Sequence, residues 1–260
     1  MTPATQHPDR PPPAKSDSSA SSRGIIITID GPAGTGKSSV ARVLAKRLGL
    51  EFLDTGAMYR AAAALALDKG LSPANADAIV DEVAATDMHF DWTTDPPTLY
   101  CGGKSVMQRL RDVDVTAIVS PIAGIPGLRR QLVRMQQQIA AAHPRLVTEG
   151  RDQGSVVFPD ADVKIFLHAD PKVRARRRAE QLRAAGQSAN EQVLAAEISE
   201  RDQSDATRQD GPLTCPDDAH RVDTSELGFD QVVDTLEGLV LRQLAARTKK
   251  KDFASFAFRA

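Results

Sequence analysis

The stretch that decides the fold reads Gly31-Pro32-Ala33-Gly34-Thr35-Gly36-Lys37-Ser38 and matches the pattern G-x-x-x-x-G-K-[ST]. It follows a continuous β-branched run, residues 25–29, that is typical of a buried parallel strand. A helix is predicted directly after it, from Lys37 to Leu48, with Gly49 at its end. Glycines let backbone N–H groups surround an anion, and the positive end of the helix points the same way. The stretch therefore predicts a phosphate-binding loop.

The side chains of this loop predict how it would handle ATP. Lys37 can reach the β- and γ-phosphate oxygens as a catalytic residue, and Ser38 can ligate Mg²⁺. The sequence has no Asn-Lys-x-Asp stretch of the kind that reads guanine, which favours ATP. The predicted ATP-binding set is Gly31, Pro32, Ala33, Gly34, Thr35, Gly36, Lys37, Ser38 and Ser39.

The bulk composition narrows the class of protein. Of the 260 residues, 41% are hydrophobic and 26% charged, as in ordinary soluble proteins, and the net charge is -1. This balance disfavours nucleic acid as the main partner, and no apolar run reaches the ~18 residues of a membrane span. Residues 1–23 read as a disordered tail without a secretory signal, and Cys101 and Cys215 as reduced thiols. We expect a cytoplasmic monomer that acts on small molecules.

The rest of the chain alternates between strand-like and helix-like segments. Further buried strands are predicted over 145–148, 163–167 and 220–223. Helices are predicted over 56–69, 74–85 after a Ser72-Pro73 start, 113–123, 128–142, 171–185, 190–206 and 229–246, with Pro121 as a helix breaker. Alternating strands and helices imply an α/β fold with a central parallel sheet flanked by helices.

One region departs from this alternation. Residues 88–92, 98–101 and 104–106 look like short strands, and Gly102-Gly103 is a suitable two-residue hairpin turn. We therefore predict a small antiparallel sheet at about 88–106, inserted into the larger domain.

Three arginine-bearing segments stand out in a chain without positive excess. They are residues 54–60 (DTGAMYR), 149–152 (EGRD) and 200–208 (ERDQSDATR). Each lies at the edge of a predicted element, where side chains can converge beyond the ends of parallel strands. Arginine binds phosphate in a bidentate manner, so these segments predict a second anion site. For Asp54 and Thr55 a plain helix cap is the alternative.

With these motifs the sequence resembles the bacterial cytidylate kinases, nucleoside monophosphate kinases of the P-loop class, over residues 25–246. The resemblance lies in the loop 31–39, D-[ST]-G-x-x-Y-R at 54–60, G-R-D at 150–152 with the following 156–161, and R-x-x-x-D-x-x-R at 201–208. It implies phosphoryl transfer from ATP to CMP or dCMP with Mg²⁺. It also implies a kinase domain at 24–246, with an acceptor-binding part at about 55–142, a helical lid at about 172–210 and a C-terminal tail at 247–260.

The resemblance also implies roles for single residues. It assigns binding of the acceptor phosphate or sugar to Arg60, Arg151 and Arg201. Recognition of cytosine is assigned to Ser120, Arg129 and Asp152, and contact with the ribose or base to Asp205 and Arg208. Asp54, Thr55 and Tyr59 complete this substrate-binding set, and Arg151 joins Lys37 and the lid residue Arg177 as catalytic. Two departures leave the metal site open: Ser38 and Ser39 replace the common G-T of the family loop, and Glu149 replaces a common Asp.

Asp152 can accept a hydrogen bond from the cytosine amino group, whereas uracil offers an oxygen there. Such a mismatch implies ~10- to 100-fold discrimination between the two bases.

Two alternatives remain beside this interpretation. One rival is a kinase for UMP or another small acceptor. The other is an ATP-dependent switch or RNA-binding protein, which the charge balance and the aromatic content of 4% disfavour. The basic segment 172–183 is predicted to form the base of the lid, and a solvated helix face is the alternative.

Overall fold

A parallel sheet forms the centre of the molecule. The computed structural model describes residues 24–184 and 186–257, so the predicted tail at 1–23 lies outside the described residues. The sheet has five strands in the order β2-β6-β1-β7-β8, all paired in parallel. They are β1 (Ile25–Asp30), β2 (Glu51–Asp54), β6 (Arg145–Gly150), β7 (Val163–His168) and β8 (His220–Asp223).

Helices cover both faces of this sheet, as predicted. They are α1 (Lys37–Leu48), α2 (Thr55–Asp68), α3 (Ala76–Ala85), α4 (Val113–Ala123), α5 (Pro126–Ala142), α6 (Pro171–Ala184), α7 (Glu191–Thr207) and α8 (Phe229–Ala257). One core cluster packs α1 and α8 against the sheet, and a second joins α2 to α5 with the small insertion. None of the helices in the described ranges is both long and apolar enough to cross a membrane.

The predicted insertion is a second, antiparallel sheet. It consists of β3 (Met88–Asp91), β4 (Thr98–Cys101) and β5 (Lys104–Ser105) in that order. Gly102 and Gly103 join the last two strands with φ of 55° and 75°. Both values are positive, as a tight hairpin turn requires, which is why two glycines stand there. The α/β prediction with an antiparallel insertion is therefore confirmed.

Some predicted boundaries were wrong. Strand β2 was not predicted, because it is a short edge strand whose first residue, Glu51, is exposed. Ser72-Pro73 does not start α3, since the Ser72 backbone N–H and hydroxyl both donate to Asn75 Oδ1, at 2.9 and 3.0 Å, and the helix begins at Ala76. Pro121 does not break α4 but lies inside its last turn, where the lost N–H affects little of the helix.

The last helix also continues beyond its predicted end. We predicted an end at Ala246 and a C-terminal tail from 247, whereas α8 runs to Ala257. The segment is rich in Lys and Ala and has neither Gly nor Pro to stop a helix. Arg247 anchors this region, because its Nη1 donates to the Asp162 carbonyl at 2.8 Å.

Candidate active site

The predicted phosphate loop connects β1 to α1 with a backbone that only glycine can adopt at several positions. Gly31 has a φ of 145°, and a Cβ added there would lie 2.1 Å from the Leu167 carbonyl oxygen. Gly36 has a φ of 86° and is the residue that precedes α1. The loop is therefore pressed against the end of β7 with its backbone at the helix N-terminus, where amides are free to face an anion.

Lys37 is buried at the start of α1, with only 5% of its surface exposed. Its Nζ donates to the Pro32 carbonyl at 2.7 Å, which folds the side chain back over the loop. Burial, together with the positive charge of Arg151, lowers the pKa of Lys37 to about 7. An anion beside Nζ would offset both effects and favour the charged lysine, which suits a phosphate-binding role.

A group of hard oxygen donors lies next to the lysine. The Ser38 hydroxyl donates to Glu149 Oε1 at 2.8 Å, and Glu149 lies close to Asp54. Burial, and then the neighbouring Glu149 charge, raise the pKa of Asp54 to about 7. Two crowded carboxylates with a hydroxyl fit Mg²⁺, which takes one or two carboxylates and completes its shell with water and phosphate. A group of three or more His, Cys, Asp or Glu side chains that could hold a metal does not occur among the described residues.

Asp54 also has a structural role, in addition to its place among these oxygen donors. Its Oδ1 accepts from the Ala57 backbone N–H at 2.8 Å and so caps α2, as the alternative interpretation expected. Asp54, Ser38 and Ser39 line a second cleft, which lies between α1 and the antiparallel insertion.

The predicted acceptor residues converge on one cleft. It lies beyond the carboxyl end of β6, between α2, α4, α5 and α7. The predicted residues that line it are Thr55, Tyr59, Arg60, Ser120, Arg129, Arg151, Asp152, Arg201, Asp205 and Arg208. Of the acceptor-binding set, Asp54 alone is not part of this lining.

One side of the cleft holds a buried ion pair. Arg129 Nη2 bonds to Asp152 Oδ2, and the two residues are each only 3% exposed. The Arg129 guanidinium also lies over the Tyr59 ring, 5.4 Å from its centre. Burial raises the pKa of Asp152, and the charge of Arg129 opposes that rise. The pair presents a carboxylate and a guanidinium to the cleft in a fixed orientation.

The opposite side of the cleft is organised around Asp205 on α7. Arg151 Nε donates to its Oδ2 at 2.7 Å, and Arg208 Nη1 to its Oδ1 at 3.3 Å. Burial alone would raise the pKa of Asp205, but Arg151, Arg201 and Arg208 together lower it. Asp205 thus links the loop after β6 to the end of α7.

Two guanidinium nitrogens in the cleft have no hydrogen-bond partner among the described residues. Arg201 Nε and Arg208 Nη2 are buried without a hydrogen-bond partner in the part of the chain that the structure describes. Burial, and then repulsion from Arg151, lower the pKa of Arg201 to about 10. Buried donors of this kind are costly unless a ligand completes them, and a phosphate would do so.

The remaining predicted residues hold the walls of the cleft together. Arg60 Nη1 donates to the Leu110 carbonyl and to Thr116 Oγ1, both at 3.0 Å. The hydroxyls of Ser120 and Ser204 are 3.3 Å apart and join α4 to α7.

The two arginines at the base of the predicted lid differ in their contacts. Arg177 does not line the cleft, because its guanidinium donates to the Thr224 carbonyl at 2.5 Å and to the Leu227 carbonyl at 3.1 Å. Arg174 reaches the phosphate loop instead and donates to the Ala33 carbonyl at 3.0 Å. The catalytic role of Arg177 stays a prediction, and the structure does not bring this residue to the loop.

Sequence reasoning also missed part of the lining. Val119, Ala123, Gly56 and Gly150 face the cleft in addition to the predicted set. Val119 and Ala123 are four residues apart on α4, and this helical spacing beside Ser120 was the available signal.

A glycine-rich loop between a parallel strand and a helix, facing a cleft with several guanidinium groups, defines a phosphotransferase of the P-loop kinase class. The model of the cytidylate kinase family matches residues 27–242. The cytidylate kinase of Mycobacterium avium (strain 104) is 45% identical over 216 residues, which are 83% of this chain and 95% of that protein.

Two further relatives are also cytidylate kinases. The cytidylate kinase of Corynebacterium glutamicum is 42% identical, covering 84% of this chain and 94% of that protein. That of Azotobacter vinelandii is also 42% identical, covering 86% and 97%. The chain belongs to the cytidylate kinase family, so it is a kinase and the predicted resemblance is confirmed.

Proposed function

We propose that this chain is a nucleoside monophosphate kinase that transfers the γ-phosphoryl group of ATP to CMP, and to dCMP, giving CDP or dCDP and ADP. The observation that carries the proposal is the convergence of the arginine-bearing segments, far apart in sequence, on one cleft. This cleft is within electrostatic reach of the phosphate loop, since Arg151 and Arg201 both affect the pKa of Lys37. Two anion sites this close together suit the joining of two phosphates.

On the donor side, we assign the ATP phosphates to the amides of residues 31–39 and to Lys37. Ser38 and Glu149, with Asp54 behind them, would hold Mg²⁺, and Ser39 stays the alternative ligand. When bound, Mg²⁺ neutralises charge on the phosphates that are being exchanged. The mutual contact of Ser38 and Glu149 supports this assignment.

On the acceptor side, Arg60, Arg151 and Arg201 would hold the CMP phosphate. Ser120, Arg129 and Asp152 would read cytosine, Asp205 and Arg208 the ribose or base, and Thr55 and Tyr59 would complete the wall. The unsatisfied nitrogen of Arg201 supports the phosphate assignment. The buried carboxylate of Asp152 supports the base assignment, because it can accept from an amino group but not from the uracil oxygen.

The acceptor oxygen is already anionic, so the reaction requires no strong general base. An α-phosphate oxygen of CMP attacks the γ-phosphorus, the bond to the β-phosphate oxygen breaks, and ADP leaves with that electron pair. Lys37 and Arg151 neutralise charge on the migrating group, and the loop and cleft hold the two nucleotides in line. The α6–α7 pair would close over ATP and exclude water, which prevents hydrolysis.

The charge balance and the small cleft bear on the partners of the protein. We propose a monomer in the cytoplasm that acts in pyrimidine nucleotide metabolism, on small molecules instead of nucleic acid or membranes. The net charge of -1 supports this, since nucleic-acid-binding proteins carry a positive excess.

The test is a panel of acceptors. ADP formation is followed with purified protein, ATP and Mg²⁺, and with CMP, dCMP, UMP or AMP as acceptor. We expect the highest kcat/KM with CMP or dCMP and ~10- to 100-fold less with UMP. A preference for UMP or AMP would contradict the acceptor assignment, and ATP turnover that needs no acceptor would favour the switch.

A further inference from the structure

Two buried glutamines lie behind the base-reading pair that the proposed function assigns to Arg129 and Asp152. Gln136 follows Arg129 by seven residues on α5 and so lies on the same face of that helix, and Gln153 comes directly after Asp152. Their exposed fractions are 0% and 1%. Gln153 Nε2 donates to Gln136 Oε1 at 3.1 Å. The proposed mechanism uses neither residue.

The side chain of Gln153 is fixed from several directions. Thr148 Oγ1 donates to its Oε1 at 2.9 Å, and its backbone N–H donates to Asp30 Oδ1 at 2.8 Å. A Cβ added to Gly150 would lie 2.8 Å from Gln153 Cγ, so this side chain packs directly against the turn that carries Asp152. The turn is therefore tied to the sheet through Gln153.

The same two parts of the chain, α5 and the turn 150–153, are thus joined twice. The Arg129–Asp152 ion pair faces the cleft, and the Gln136–Gln153 hydrogen bond lies outside its lining. Asp152 must share its carboxylate between Arg129 and a base, so the ion pair has to adjust when cytosine binds. The Gln136–Gln153 hydrogen bond behind it is neutral and does not contact the base, so it can keep its geometry when cytosine binds.

Gln136 also lies beside Tyr59, the ring beneath the Arg129 guanidinium. Burial raises the pKa of Tyr59 to about 12, and the nearby Arg129 and Gln136 oppose that rise. Gln136 Nε2 has no hydrogen-bond partner in the described part of the chain although it is buried. Gln136 therefore lies between Gln153, which it contacts by a hydrogen bond, and the ring that packs beneath the Arg129 guanidinium.

We propose that the Gln136–Gln153 hydrogen bond is a positioning device that sets the distance between α5 and the turn 150–153, and thereby the discrimination between cytosine and uracil. The proposal rests on the proposed function and deepens it. Its loss would let Arg129 and Asp152 close on each other or separate, which weakens cytosine recognition more than it alters phosphoryl transfer.

The test compares Gln136→Leu, Gln153→Leu and the double variant. For each we expect the ratio of kcat/KM for CMP to that for UMP to fall about three- to tenfold, mainly through a higher KM for CMP. The double variant should lose no more than the larger single change, because both remove the same link. Gln137→Leu is the matched control: its Nε2 donates to the Val157 carbonyl at 3.0 Å, and its loss should leave the ratio unchanged.

The outcomes distinguish a positioning role of the two glutamines from a purely structural one. A lower melting temperature with an unchanged CMP to UMP ratio would overturn the proposal, since a purely structural role predicts that result. If Gln136→Leu does not fold, Gln136→Met and Gln153→Met provide the same test with side chains closer in length. A wild-type protein without a preference for CMP would refute the proposed function instead, before any variant is considered.

Discussion

The phosphate loop and the acceptor cleft present their hydrogen-bond donors by different means. The loop is one continuous segment, and its donors are backbone amides held by glycine geometry and by the end of α1. The cleft is built from side chains that come from α2, α4, α5, α7 and the loop after β6, held by pairs such as Arg151–Asp205. A backbone site is fixed by local geometry, whereas a side-chain site depends on the packing of the whole domain.

This difference predicts separate losses when each site is damaged. Lys37→Met should reduce kcat with every acceptor about 10²- to 10³-fold, because it removes a charge from the migrating phosphoryl group. Arg151→Ala should reduce kcat/KM for CMP by a similar factor, yet leave the binding of an ATP analogue within about threefold. Steady-state kinetics and calorimetric titration measure the two effects. If each variant weakened the binding of both nucleotides equally, the loop and the cleft would not act as separate sites.

A smaller change should alter selectivity alone. Asp152→Asn keeps the size of the side chain but adds an amide donor that can meet the uracil oxygen. We expect the CMP to UMP ratio of kcat/KM to fall ~10- to 100-fold, with KM for ATP unchanged. Competition assays with both acceptors provide the measurement. A ratio that stays at the wild-type value would show that Asp152 does not read the base.

Asp30 lies where the two sites meet, and it gives a prediction about pH. Its carboxylate accepts from the backbone N–H groups of Gln153 and Gly154, at 2.8 and 2.7 Å, yet burial raises its pKa to about 7. The folded state then binds a proton that the unfolded state, with a pKa of 3.8, has lost. This contribution to stability is complete below pH 4 and disappears as the pH rises to 7.

The free energy of unfolding should therefore fall by about 1 kcal/mol per pH unit between pH 5 and 7 and stop falling above that range. Urea unfolding from pH 5 to 8 measures it, with Asp30→Asn as the control that lacks this group. Identical slopes in the two proteins would mean that Asp30 is already ionised in the folded state.

The smallest effect concerns Arg177. Its bonds to the Thr224 and Leu227 carbonyls predict that Arg177→Lys reduces the free energy of unfolding by about 1–2 kcal/mol and changes kcat less than threefold. Unfolding curves and initial rates on the same preparation test this. A hundredfold loss of kcat in a stably folded variant would instead support the catalytic role that the resemblance implied.

The two sites also differ in how far the sequence could predict them. The strand, glycine turn and helix of the loop were predicted from the sequence, because they are adjacent in the chain and each acts locally, while the ATP-binding roles of its residues stay a prediction. The three arginine-bearing segments predicted a second anion site, but the roles of single residues came only from the family resemblance. Nothing local places Tyr59 beside Arg129 or Arg151 beside Asp205. Gln136 and Gln153 were missed for the same reason: their hydrogen bond depends on how α5 packs against the turn after β6.

The most direct test of the central claim is a crystal structure with an analogue that joins adenosine and cytidine through a chain of phosphates. The account predicts phosphates of the adenosine half on the amides of residues 31–38, and the phosphate beside cytidine within hydrogen-bond distance of Arg60, Arg151 and Arg201. A structure in which those three guanidinium groups turn away from every phosphate would contradict it.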